Sequence, residues 1–289
     1  MIPASFDYLA PESLAEALHA LKDRGEDAKV LAGGHSLLPL MKLRLASPKL
    51  LIDLRRLGAL RSIAQRGEQI IIGALATHYQ IESSALLKKK CPLLPQVAMT
   101  IGDVQVRNRG TIGGSLTHAD PAADWPAALL ALGGRLVITS LDGERAVGAD
   151  DFFLGPLTSA VGPSEILTEI QFPAAPRRSG FAYLKMAQQA SGFAILGVAV
   201  ALQLDAQGGC REIGIGITGL SDKPFKAHVV GDWLRGSKLT AKDIEAAAAL
   251  AADDVEPLED LHAAADYRAH LARVYTGRAI HAALRHARR

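Results

Sequence analysis

Two short segments, Gly33-Gly34-His35-Ser36 and Thr111-Ile112-Gly113-Gly114-Ser115, restrict the possible folds more than any other feature. A single glycine pair needs no explanation beyond a tight turn, because glycine enters positive φ without steric cost. Two such pairs, each closed by a serine and each near an apolar helical run, ask for more. Without Cβ atoms a ligand can reach the main chain, and successive N–H groups then face an anion. Hydrogen bonds to a charged oxygen, about 1.5 to 3 kcal/mol each, supply affinity without a basic patch. The reading is a diphosphate held by two strand-turn-helix units.

The charge balance agrees. Thirty-two Lys+Arg against 30 Asp+Glu leave a net +2, too little for a nucleic-acid binder that neutralises many phosphates. At 49% hydrophobic and 21% charged residues the chain can bury enough apolar surface to fold. Its 289 residues predict two domains at about 150 residues each. Two cysteines, Cys91 and Cys210, are too few for an iron–sulfur cluster with its usual four thiolates, so a cluster would belong to another chain. The start, Met1-Ile2-Pro3-Ala4-Ser5-Phe6-Asp7, lacks a secretory signal, and a cytoplasmic location is expected. The uncharged stretch Met186 to Leu204 carries Gln188, Gln189, Ser191 and Gln203; roughly 20 apolar residues are needed to cross a bilayer, so no span is expected.

Along the chain, Leu14, Leu18 and Leu21 mark a helix stopped by Gly25,. Strands are expected at Lys29–Ala32 and Leu50–Leu54, with Ser36 capping a helix that has Pro39 in its first turn,. A second segment brings a strand at Gln69–Ile72, a helix start at Thr77, a helical stretch punctuated by Pro92 and Pro95 to Met99, and a helix at Ala127–Leu132,. Strands follow at Arg135–Ser140 and Ile166–Phe172, around a turn at Asp142-Gly143,. Pro173-Ala174-Ala175-Pro176-Arg177-Arg178-Ser179-Gly180 is the expected linker,. Domains are placed at 1–175, with subdomains at about 1–56 and 57–175, and at 176–289. Beyond the linker, antiparallel strands at 180–187, 194–204 and 212–219 precede a helix capped by Thr240 and one from about Ala264 to the end,.

Gly214-Ile215-Gly216-Ile217-Thr218-Gly219 matches G-x-G-x-x-G, but a dinucleotide fingerprint must open a helix, and this one lies inside β-branched alternation. It is read as a strand. No Walker A, H-E-x-x-H or G-x-S-x-G motif occurs,. His35 and His118 lie beside the two glycine segments, where a surface role competes with a functional one. Asp120 and Asp124 either cap the next helix or accept hydrogen bonds from sugar or ribityl hydroxyls. Lys185 is either solvated or offsets phosphate charge in a cleft.

Ala32-Gly33-Gly34-His35-Ser36-Leu37-Leu38-Pro39, Asp53-Leu54, Arg109-Gly110-Thr111-Ile112-Gly113-Gly114-Ser115 and Ala119-Asp120-Pro121 with Asp124 closely resemble the FAD-binding medium subunits of molybdenum hydroxylases, a family that includes carbon monoxide dehydrogenase and xanthine dehydrogenase. The resemblance runs over essentially the whole chain. It implies an α+β protein: a two-subdomain α/β FAD-binding domain of the vanillyl-alcohol-oxidase (PCMH) type, then a C-terminal domain of antiparallel sheet plus helices. It implies that Ala32, Gly33, Gly34, His35, Ser36 and Leu37, with Thr111, Gly113, Gly114 and Ser115, hold the FAD diphosphate. His118, Asp120 and Asp124 would lie along the cofactor, Ile101 and Leu167 would supply apolar surroundings, and Lys185 and Phe193 would approach from the second domain. No catalytic side chain and no metal ligand is implied.

The implied partners are a small subunit with two 2Fe–2S clusters and a large molybdenum-cofactor subunit, assembled as a dimer of heterotrimers. Electrons would pass from the clusters through FAD to a quinone, oxygen or another acceptor. Phe193 stands where some relatives have tyrosine, Gln188-Gln189 where several have basic residues, and Ser115 where asparagine is commoner. The substrate stays open among carbon monoxide, aldehydes and N-heterocycles. A stand-alone FAD-dependent oxidoreductase of the same fold is the alternative, as is an assembly module without cofactor.

Overall fold

A computed structural model describes residues 2–253 and 255–289. The first unit is a small parallel sheet: β1 (Asp7–Leu9), α1 (Leu14–Arg24), β2 (Ala28–Leu31), α2 (Leu37–Lys42) and β3 (Leu50–Asp53), with β3 between β1 and β2. Ser13 caps α1 through its hydroxyl, and Gly25 at φ +52° ends it, as anticipated. Ala17, Leu18 and Leu21 then pack on Ile52 and Leu54.

The second unit holds β4 (Ile63–Arg66), β5 (Gln69–Gly73), the helices α3 (His78–Ser83), α4 (Ala85–Lys90), α5 (Leu93–Met99), α6 (Val104–Arg109), α7 (Ile112–His118) and α8 (Trp125–Leu132), then β6 (Arg135–Ser140), β7 (Gly143–Gly148), the hairpin β8 (Phe153–Gly155) and β9 (Thr158–Ser159), and β10 (Ile166–Pro173). Its five-stranded antiparallel sheet runs β4-β5-β10-β6-β7. Thr77 and Gln80 form the capping box that starts α3.

The third unit is an antiparallel sheet of β11 (Ser179–Ala187), β12 (Ala194–Leu204), β13 (Cys210–Thr218) and β14 (Phe225–Lys226), followed by α9 (His228–Leu234), α10 (Ala241–Ala248) and α11 (Ala265–Ala287). Thr240 and Asp243 form the box that starts α10. The period of two along β12 sorts its residues. Val198, Val200 and Leu202 face α11 and its neighbours, whereas the smaller Ala199 joins the large core of the second unit. Phe181 and Tyr183 of β11 also belong to that core. The linker is therefore a boundary along the chain but not in the packing.

The G-x-G-x-x-G motif lies on β13, as the alternation required. A Cβ added at Gly214 would lie 2.0 Å from the carbonyl oxygen of Ala131, and one at Gly216 2.0 Å from that of Ala127. These glycines let α8, whose eight residues are all buried, press its backbone against the sheet. Gly216→Ala is therefore expected to destabilise the chain by about 2–3 kcal/mol through overpacking. Denaturant unfolding measures this, and an unchanged midpoint would contradict the packing.

Two other expectations differ from the structure. Ser36 occupies the position before α2, but its side chain makes no cap bond, because its own backbone is already in the right-handed helical region (φ −104°, ψ −52°). The second glycine pair is not a loop. Gly113 and Gly114 lie in the first turn of α7, where Thr111 accepts from Gly114 N–H.

Candidate functional site

Just beyond β2 the chain turns through Ala32, Gly33, Gly34, His35 and Ser36 into α2. Gly34 adopts φ +79°, a conformation costly for a side-chain-bearing residue. Among the described residues the N–H groups of Gly33, Gly34, His35 and Ser36 have no hydrogen-bond acceptor in the protein. Four consecutive unpaired amides are unusual in a half-buried segment, where nearly all such groups are satisfied. His35 Nδ1 lies 3.1 Å from Gly33 O, so Nδ1 carries the proton, the carbonyl being only an acceptor. Leu37 opens α2, with Leu38 N–H bonded to Gly34 O.

The second glycine segment lies against the first. A Cβ on Gly33 would fall 2.5 Å from Arg109 O and 2.7 Å from Gly110 Cα, and one on Gly114 3.7 Å from Ala32 Cβ. The two segments, 78 residues apart in sequence, thus meet main chain to main chain. Their chemistry differs, however. Ile112 N–H donates to Ala76 O, Gly113 N–H to Ala74 O, Gly114 N–H to Thr111 Oγ1 and Ser115 N–H to Thr111 O. The expectation of two equal sets of free amides is corrected: the first segment presents them, and the second forms its wall. Nor does Gly114 have positive φ; its added Cβ would instead lie 2.8 Å from Thr111 Oγ1.

The link from α7 to α8 leads to a second group of predicted residues. His118 ends α7 and is half-buried. Asp120 Oδ1 accepts from Ala122 N–H at 2.8 Å and shapes the turn, while Thr218 Oγ1 donates to Pro121 O and Ala123 O from β13. Asp124, buried, does not cap α8. Its carboxylate instead receives Tyr183 Oη at 2.5 Å and Lys185 Nζ at 2.9 and 3.2 Å. The same ammonium donates to Thr100 O and Gly192 O, each at 2.8 Å. Its three donors are thereby engaged, with Lys185 and Asp124 side chains only 6% and 7% exposed. Burial pushes the Asp124 carboxyl upward, opposed by Lys185 and Tyr183. Burial, reinforced by Asp124, holds the Tyr183 phenol far above its usual range.

Lys185 thus ties β11 to the turn after α5 and to the β11–β12 hairpin. Ile101 sits in that turn, half-buried, its carbonyl accepting from Arg107. Phe193 closes the hairpin, 47% exposed, with its carbonyl accepting from Gln188 N–H. Leu167 lies apart from these turns, buried at a bulge of β10 in the large core.

Sequence reasoning missed Tyr183, Thr100 and His78. Tyr183 carries a signal, since the period of two places it on the face of β11 that Lys185 occupies. Thr100 acts through its carbonyl, which no side-chain pattern reveals. His78 is buried between the segments and the core, Nδ1 accepting from Trp125 Nε1 at 3.0 Å.

The family of the FAD-binding domain in molybdopterin dehydrogenase matches residues 4–175, and that of the CO dehydrogenase flavoprotein C-terminal domain matches residues 181–283. The chain belongs to this flavoprotein family. It is 39% identical over 280 residues to the carbon monoxide dehydrogenase medium chain of Afipia carboxidovorans, covering 97% of each chain. It is 38% identical over 288 residues to the 6-hydroxypseudooxynicotine dehydrogenase complex subunit alpha of Paenarthrobacter nicotinovorans, covering 100% of this chain and 97% of that one. A chain of carbon monoxide dehydrogenase from Hydrogenophaga pseudoflava superposes with a TM-score of 0.96 at 40% identity over 99% of both.

FAD is accordingly the cofactor of this medium subunit of a molybdenum-hydroxylase-type oxidoreductase. The residues present fit it. Four amides without protein acceptors, on a turn whose glycine lies flush against a second main-chain segment, suit a diphosphate in a protein of near-neutral charge. Among the described residues no helix is long and apolar enough to cross a membrane. Both cysteines are buried, and burial pushes their thiols up to about 12 for Cys91 and about 11 for Cys210, far from nucleophilic.

Proposed function

We propose that this flavoprotein subunit relays electrons from two 2Fe–2S clusters of a small partner subunit, through FAD, to an external acceptor. The substrate is then oxidised on a large molybdenum-cofactor subunit, and the working unit is a cytoplasmic dimer of heterotrimers. The observation that carries the reading is the run of free amides from Gly33 to Ser36, which offers donors to an anion such as a diphosphate. Ala32 and Leu37 flank those donors. Thr111, Gly113, Gly114 and Ser115 wall the site, and His118 and Asp120 lead from it to Asp124. The Asp124–Lys185–Tyr183 cluster sets the turn holding Ile101 and the hairpin holding Phe193, so an exposed aromatic ring stands ready to cover the flavin end.

When bound, FAD supplies the redox chemistry. The chain's own part is to bind the group, orient it and exclude water. No side chain is required as general acid or base. The domain division at 175/176 follows the same reading, with the flavin end facing the second domain.

The purified chain is expected to carry a flavin absorption spectrum yet to show little substrate-dependent bleaching alone. Anaerobic addition of substrate to the native complex is expected to bleach it. Flavin that stays oxidised throughout turnover of the complex would overturn the relay. Bleaching of the isolated chain by substrate would instead support the stand-alone oxidoreductase.

A further inference from the structure

His78 is 5% exposed and sits where the two glycine segments meet the core. Its own N–H donates to Gly110 O at 3.0 Å, and Thr77 bridges to Thr111. A Cβ added at Gly110 would lie 2.6 Å from His78 Nε2 and 2.8 Å from Cδ2, so the imidazole edge rests directly on Gly110. The other face of Gly110 carries Gly33, since a Cβ there would lie 2.7 Å from Gly110 Cα. Gly33, Gly110, His78 and Trp125 thus form a continuous stack from the turn with the free amides to the first turn of α8.

The indole N–H can only donate, so Nδ1 of His78 is the acceptor in the 3.0 Å bond from Trp125,. The ring proton is then on Nε2. That donor has no acceptor among the described residues, nor is it among the fully buried unpaired atoms, so it keeps some exposure where it lies beside Gly110. The tautomer is imposed by the bond from Trp125. Burial first, then the charges of His35 and Arg107, lower the ring to a pKa of about 4, which keeps it neutral at physiological pH.

We infer that His78 is a further cofactor-binding residue, a neutral donor whose Nε2–H completes the shell that the Gly33–Ser36 amides begin, with an oxygen of FAD as the acceptor. The inference rests on the proposed placement of the diphosphate. It differs from a purely structural role in one respect: the Nε2 proton must sense the ligand.

Two variants of the full, deflavinated chain separate the roles. His78→Leu removes both ring nitrogens, whereas His78→Gln restores an amide donor near the Nε2 position. Both lose the acceptor for Trp125, so that shared loss cancels in their comparison. Titration with FAD is expected to show affinity weakened about ten-fold or more in His78→Leu and about three-fold or less in His78→Gln, as for one hydrogen bond to an anionic group. In the wild-type chain labelled with 15N-histidine, the His78 Nε2–H resonance is expected to shift on adding FAD. Equal affinities in the two variants, or an Nε2–H resonance that FAD leaves unmoved, would overturn the inference. A wild-type chain that binds no FAD would instead refute the proposed diphosphate site. If either variant fails to fold, the wild-type resonance still decides.

Discussion

Gly33→Ala is expected to weaken FAD binding about 100-fold or more while leaving the folded core in place. The methyl group would meet Arg109 O at 2.5 Å and Gly110 Cα at 2.7 Å. Both are main-chain atoms of a segment pinned by Gly110 N–H to Val106 O and by His78 N–H to Gly110 O, so no side-chain rotation relieves the clash. The two segments must separate, and the free amides of Gly33 to Ser36 move with the first. Backbone strain does not enter, since only Gly34 of this pair has positive φ. Flavin fluorescence titration of the deflavinated chain measures the loss, with circular dichroism as the check on folding. Full flavin occupancy in this variant would show that the turn does not hold the diphosphate.

Lys185→Met is expected to cost about 3 kcal/mol or more of stability, the size seen when one partner of a buried ion pair is removed. It leaves Asp124 buried with only Tyr183 donating, and leaves Thr100 O and Gly192 O without their donor. The pH dependence has a definite sign. Burial already raises the Asp124 carboxyl, and loss of the ammonium raises it further. Between the unfolded and folded values the native state holds the extra proton, so stability falls as pH rises through that window. The deficit is therefore largest at neutral pH and shrinks on acidification. Urea unfolding of both proteins across the acidic range tests it; a deficit independent of pH would mean that Asp124 is not the group left uncompensated.

Much of the fold could be read from local chemistry. The caps at Thr77 and Thr240, the stop at Gly25 and the full extent of β12 depend on neighbours in sequence and were legible. The strands missed are short or at sheet edges. The three residues of β1 exist because β3 offers a parallel edge, and β4 pairs only with β5; neither has enough period of its own. The helix α9 also escaped notice, since Gly231 interrupts its seven residues.

The second glycine pair shows the opposite failure. Gly113-Gly114-Ser115 has the composition of a turn, yet Thr111 caps it and the carbonyls of Ala74 and Ala76 take its amides, so tertiary partners turn it into helix. At the site, both glycine segments were visible in the sequence, but which one keeps its donors free was not. That distinction is set by acceptors 36 and 39 residues earlier, at Ala76 and Ala74. Asp124 and Lys185 were likewise visible, though as separate residues. Their pairing arises only when β11 passes the start of α8.

The burial of α8 on every side carries a further consequence. Water touches almost none of this rod of alanine and leucine, because β12 and β13 cover what its own half leaves bare. Cutting the chain at the proline-rich connector would strand it with a greasy flank exposed, and would uncover a pleated surface of bare glycine and alanine opposite. Neither fragment inherits a complete interior. The connector separates the two family-matched stretches of sequence, while the interior they form runs across it.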